Sequence, residues 1–208
     1  RGFAKDPNGN VIYENGLPVI ETNKKVLGNI APDWTGGVNF AFRYKDFDFS
    51  ALVDAKVGGD VHSMTYAWGR YAGTLEETLI GRETGVVGNG VKSDGNGGYV
   101  QNDVVVTAKE FNQGSFGNTI EESAIFDATY VKLRYMSLGY TLPKRLFKNT
   151  GVQDVKFSLV GTNLAILYKK APHIDPETGF SSSNSEQGQE FGQIPSTRSY
   201  GFNINVKF

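Results

Sequence analysis

Hydrophobic and polar residues alternate strictly in several stretches of this chain. In RSYGFNINVKF, residues 198–208, Tyr200, Phe202, Ile204, Val206 and Phe208 fall on one side of an extended strand, and Ser199, Gly201, Asn203, Asn205 and Lys207 on the other. WTGGVNFAFRY sets Val38, Phe40, Phe42 and Tyr44 against Asn39, Ala41 and Arg43. After Lys45 and Asp46, FDFSALVDAKVG sets Phe47, Phe49, Ala51, Val53 and Ala55 against Asp48, Ser50, Leu52, Asp54 and Lys56. The two stretches predict a hairpin with unlike faces. ATYVKLRYMSLGYTLP carries two phases: Val131, Leu133 and Tyr135 share one, whereas Met136, Leu138, Tyr140 and Leu142 share the other. A single regular strand does not keep both sets on one face, which predicts a bulge at 134–136 or a strand end where the wet face turns apolar. PKRLFKNTG reads as a one-turn helix and VQDVKFSLVGTN as a strand, which NLAIL either extends or leaves for a short helix.

Elsewhere the period changes or vanishes. Met64, Trp68, Tyr71, Leu75 and Leu79 recur at threes and fours, the spacing of a helix or broken helix over 61–79, weakened by Gly69 and Gly73. Residues 1–34 carry turn formers and read as loop, with 11–13 as one arm of a small hairpin. Residues 81–120 are glycine-rich with a β-like VVVTAKEF, and 168–196 form a second long polar loop. The connections between the five strands then run to about two, 65, ten and 33 residues, so short and long alternate. Successive connections of antiparallel strands lie on opposite sides, which collects the short turns on one side together with the C-terminus. Outer-membrane barrels have that asymmetry, with short periplasmic turns and long external loops. Eleven residues at about 3.3 Å each, tilted near 45°, also project onto about 25 Å, the height of the apolar band of such barrels. A soluble β-sandwich shows the same two-faced strands, so alternation leaves both architectures open.

Composition sharpens the class. With 26 Gly, 12% aromatic residues and only two Met, the chain suits strands joined by turn-rich loops. A formal net charge of -1 sets up no field for nucleic acid, and the absence of cysteine excludes a disulfide scaffold and thiolate metal sites. No run approaches the roughly 20 apolar residues of a membrane-spanning helix. A chain that starts at Arg1 without a signal segment reads as a fragment or processed product.

No nucleophile elbow, phosphate-binding loop, HExxH or dinucleotide fingerprint is present, and Glu76-Glu77 and Glu121-Glu122 are adjacent, not paired for acid and base work. The expectation is therefore no enzyme, catalytic residue, cofactor or metal. A secreted glycoside hydrolase would need two spatially paired carboxylates. His173, Asp175 and Glu177 alternate, but Pro176 leaves their metal geometry undefined, and the calcium-like start at Asp94 fails because position twelve is Val105. Tyr66, Trp68 and Tyr71, beside Met64, suit stacking on sugar rings or packing peptide side chains, or else they anchor their helix.

YVKLRYMSLGYTLPKRLF, FSLVGTNLAIL, IDPETG and QGQEFGQIPSTRSYGFNINVKF together resemble the C-terminal region of SusC/RagA-like TonB-dependent transporters of Bacteroidetes, and GNIAPDWTGGVNFAFRYKDFDFSALVDAKVGGDV resembles the segment before it. The resemblance covers the chain beyond about residue 26. It implies an all-β fold, the C-terminal antiparallel strands of a 22-stranded transmembrane β-barrel with long external loops containing short helices. Residues 1–34 become an external loop or preceding barrel connection, and 35–208 the C-terminal part of the barrel. Five strands do not close a barrel whose smallest form has eight. The function implied is import of oligosaccharides or peptides under a SusD-like lipoprotein lid, in the outer membrane, with the C-terminus periplasmic.

The partners implied are the rest of the barrel and its plug, the SusD-like lipoprotein, TonB through a missing N-terminal region, the barrel-assembly machinery and outer-membrane lipid, with no nucleic acid. Tyr66, Trp68 and Tyr71 become cargo or lid contacts, and Tyr200, Phe202, Ile204, Val206 and Phe208 the barrel-assembly signal. Charges on the wet faces, Arg43, Asp48, Asp54, Lys56, Asp154 and Lys156, would meet the plug or lumen water, and Tyr44 and Tyr140 an interfacial girdle. The alternative is a soluble β-sandwich, a carbohydrate-binding or structural module.

Overall fold

The computed structural model describes residues 1–116, 120–180 and 187–208. Its main elements are β1 (Trp34–Tyr44), β2 (Phe47–Val57), β3 (Asp60–Ser63), α1 (Met64–Ala72), α2 (Ala108–Phe116), β4 (Ile125–Asp127), β5 (Tyr130–Thr141), β6 (Asp154–Lys169), β7 (Gln189–Glu190) and β8 (Ser199–Lys207). The chain divides into two compact units, each assembled from three segments. A loop unit takes Arg1–Ile30, Asp60–Phe126 and Gly179–Gln193, and a sheet unit takes Ala31–Gly59, Asp127–Thr178 and Ile194–Phe208.

The sheet unit is one antiparallel sheet in the order β8-β6-β5-β2-β1. Its register carries the alternation of the sequence across every strand. Phe42 faces Phe49, Phe49 faces Leu138, Leu138 faces Leu159 and Leu159 faces Phe202, a continuous apolar row. The neighbouring row runs Tyr44, Phe47, Tyr140, Phe157 and Ile204, with the Phe47 and Tyr140 rings 4.7 Å apart. Such cross-strand pairs are the unit of sheet stabilisation. Lys45 takes a left-handed φ of 53° in the two-residue turn between β1 and β2.

The conflict of phases in β5 is resolved by a bulge. Both of its pairings shift register between Leu133 and Tyr135, so the extra residue is Arg134. Leu133 then lies opposite Val53 and Met136 opposite Ala51, so Val131 and Leu133 share a face with Met136, Leu138 and Tyr140, whereas Tyr135, opposite Leu52, turns to the other face. The NLAIL stretch continues β6, with Asn163 at φ 51° beside the bulge.

The two faces are unequally covered. On the apolar face Phe202 is 76% and Phe42 65% exposed, whereas on the polar face Lys132 is 2% and Ser137 8% exposed.

The described sheet does not close into a barrel: it ends at β1 on one side and β8 on the other. The expected C-terminal wall of a 22-stranded transmembrane barrel is replaced by an open five-stranded sheet. An open edge carries a row of backbone N–H and C=O groups without partners, which a hydrocarbon environment leaves unsatisfied. The outer-membrane multi-pass placement with a periplasmic C-terminus, and the transporter function built on it, are withdrawn for this chain with the barrel. What holds is an all-β, antiparallel fold. Among the described residues no helix is long and apolar enough to cross a membrane.

The loop unit is built from short pieces. β3 lies between β4 and β7, and Tyr13–Glu14 pairs with Leu17–Pro18 in a small hairpin. Tyr13 is buried against Gly88 and Gly90, where a Cβ on either glycine would run into its ring. Ser63 caps α1 by accepting the Tyr66 N–H, and Gly73, at φ 72°, ends it, so the helix is shorter than the 61–79 stretch that the periodicity suggests. Val105–Val106 pairs with Val86–Val87 as expected of a β-like stretch, but the chain then turns into α2. Thr107 and Glu110 cap that helix reciprocally, each backbone N–H donating to the other's side chain at 3.1 Å.

Candidate functional site

The densest polar constellation lies on the covered face of the sheet unit. Lys132 on β5 donates to Asp175 Oδ1 and Oδ2 at 2.7 and 2.9 Å and to Glu177 Oε2 at 2.6 Å. Two residues along, Arg134 grips Asp54 of β2 through Nε and Nη2 at 3.1 and 2.6 Å, and donates to both oxygens of Glu177. Ser196 Oγ donates to Asp175 Oδ2 at 2.5 Å, and Lys169 Nζ to the Ile174 carbonyl at 2.7 Å. The bulge puts Arg134 where it reaches both strand and loop. Burial pushes the Asp175 and Glu177 carboxyls up, but hydrogen bonds from Lys132 and Ser196 to the first, and from Arg134 and Lys132 to the second, outweigh it and hold both below the ordinary range. Arg134 is held still more firmly protonated by Glu177 and Asp54.

This arrangement is a clasp. It fastens the 171–178 and 194–197 segments onto the strands, with every carboxylate turned to a cation. Asp175 and Glu177, weighed with His173 as metal ligands, are occupied in this way, and among the described residues no group of three or more acidic or histidine side chains is set to hold a metal ion. Asp94 accepts the Asn96 and Gly98 N–H groups in a local turn. The ion cluster is not legible in sequence, because its partners lie about 40 residues apart and Lys132 reads as an ordinary wet-face lysine.

The aromatic trio separates. Tyr66 is buried with Ala67 and Ala124, its ring edge-on to Phe126 at 4.8 Å, and its hydroxyl accepts from Arg70 at 2.9 Å. Trp68 and Tyr71 are exposed and meet edge-to-face at 5.6 Å. Trp68 lines a cavity of about 400 Å³ with His62, Ile120, Glu121 and Phe191, and Tyr71 lines another of about 490 Å³. A buried carboxylate anchors the first of these. Ser63 and Thr65 donate to Glu190 at 2.5 and 2.6 Å, and Gly192 N–H donates to Thr65 Oγ1 at 2.7 Å, which pins residues 190–192 to the start of α1. In the closing set Tyr200, Phe202, Ile204 and Val206 stand exposed along β8, an edge strand, and Phe208 is exposed just past its end.

No family model matches the chain. It is 28% identical over 223 aligned positions to TonB-dependent receptor P3 of Formosa agariphila (strain DSM 15362 / KCTC 12365 / LMG 23005 / KMM 3901 / M-2Alg 35-1), covering 98% of this chain and 19% of that protein. TonB-dependent receptor P26 of the same strain is 25% identical over 203 positions, covering 94% and 19%. The fold is shared with part of the RagAB peptide importer in its "closed-closed" state, with a TM-score of 0.63 at 18% identity over 99% of this chain and 20% of that one. A second structure, of the RagAB peptide transporter, gives 0.58 at 20% identity over 86% and 18%.

The chain therefore spans about a fifth of the length of the relatives it matches. The resemblance expected from sequence narrows to a distant likeness to these proteins, without the closed barrel it implied. The named relatives are receptors and transporters.

Proposed function

We propose that the chain is a non-enzymatic, structural β-module within a larger, transport-associated protein. The open sheet supports this reading: β1 and β8 each present an unpaired edge, and the relatives are about five times longer. Further strands of the same polypeptide continue the sheet at these edges, as exposed edges favour strand addition. Of the two functions expected from sequence, the structural or binding β-module is the nearer.

Within this reading the exposed Trp68 and Tyr71 contact a ligand or partner protein, whereas the buried Tyr66 holds α1 in place. Tyr200, Phe202, Ile204, Val206 and Phe208 form the strand that an assembly factor engages. The test uses the absence of native cysteine. In the longer protein, single cysteines at Asn39 on β1 or Asn203 on β8 are combined with a second cysteine walked along segments outside this chain. Disulfides that recur at every second position mark an added strand. Absence of any such periodic cross-link at both edges sinks the proposal.

A further inference from the structure

Between the end of α1 and the start of α2 in the loop unit lies a cavity of about 490 Å³ whose walls include Arg70, Tyr71, Arg82, Lys109, Asn112 and Gln113. Three of these six are cationic, and none of the described residues lining the cavity is acidic. Glu77, which acts on the Tyr66 hydroxyl, is not among its walls. In a chain with 21 basic and 22 acidic residues this is an uneven distribution, and a concave site walled by one sign of charge focuses its field on an opposite charge.

The two arginines are held in place. Arg82 Nε donates to the Thr78 carbonyl at 3.0 Å and Nη2 to the Gly73 carbonyl at 2.6 Å and to Thr78 Oγ1 at 3.3 Å. The backbone thus fixes one edge of the guanidinium without neutralising it, and its Nη1 donors stay available. Among the described residues Arg82 and Lys109 form no ion pair. Arg70 is oriented by Asn112 Oδ1, at 3.1 Å from Nε and 2.8 Å from Nη2. Side chains immobilised before binding cost less to order on binding.

We infer that this cavity is a binding site for the carboxylate group of an organic solute. The Nη1 donors of Arg82 and the Lys109 ammonium offer charge-assisted hydrogen bonds to the oxygens of a carboxylate. The Tyr71 ring and the Lys109 stem offer surface to the carbon frame of such a solute, which an inorganic ion lacks. The group has two plain sources, the acidic side chains of a peptide and the uronic-acid units of a glycan. The inference is independent of how the sheet edges are completed.

Calorimetric titration of the full chain tests it with four probes: acetyl-Glu-Glu-Ala-amide, its Gln-Gln counterpart, digalacturonate and inorganic sulfate. Saturable binding of at least one acid, at least tenfold tighter than the Gln-Gln peptide and sulfate, is expected; whichever acid binds identifies the source. Lys109→Glu reverses an exposed charge that makes no hydrogen bond and should weaken that binding by about tenfold or more, and Arg82→Gln is the second variant. Failure of both acids to bind, equal binding of the neutral peptide or sulfate, or affinity unchanged in both variants overturns the site.

Discussion

A lysine with only 2% of its side chain exposed has lost its water, so the Lys132 ammonium is held by the carboxylate oxygens of Asp175 and Glu177 within 2.9 Å. Removing one member of such a pair strands the other charge in a dry site, which costs more than the pair itself contributes. Lys132→Met, which keeps most of the stem, should destabilise the chain by about 3–5 kcal/mol, read from the midpoint of denaturant unfolding. Adding Asp175→Leu should recover part of that loss; a double variant less stable than the single one would show that the clasp is not the source.

The same residues set a pH dependence. Asp175 and Glu177 have lower proton affinities folded than unfolded, so their contribution is complete above the ordinary carboxylate range near 4 and is lost as pH falls through the folded values. Unfolding free energy should therefore fall more gently with acid in Asp175→Asn than in the parent. At this scale the sequence is least readable, because periodicity puts Lys132, Arg134 and Asp54 near one face without saying which loop returns to cover them.

Elements with a period of two are readable to the residue. The hairpin of β1 and β2 and the strand β8 follow from alternation, since a strand with one apolar face tolerates no slip of one residue, whereas the two phases of β5 leave a bulge at 134–136 and a strand end both open until the pairing decides for Arg134. α2 escapes the same reasoning. Three consecutive valines at 104–106 have strong β propensity, and the helix that follows is announced only by Thr107 and Glu110 at capping-box spacing. That assigns the start of α2 to the cap. Thr107→Ala should cost about 1 kcal/mol and raise hydrogen exchange in the first turn of α2, while Thr107→Ser should cost little. Equal losses for both variants would place the effect in packing.

At the scale of the molecule, alternation defines which residues share a face but carries no information about whether five strands curve to meet others. That is why the expected closure is not what the described sheet shows. The pairing pattern itself makes a measurable statement. β2, β5 and β6 have a neighbour on each side, whereas β1 and β8 have one, so alternate amides on the outer margins of β1 and β8 lack a sheet partner. Hydrogen exchange of the full chain should be slowest in β2, β5 and β6, with β1 and β8 exchanging earlier. The longer protein provides the contrast. Strands added at the edges would slow β1 and β8 to the rate of the centre and leave β5 unchanged, whereas a cover over the apolar face alone would leave the outer amides of both edges fast.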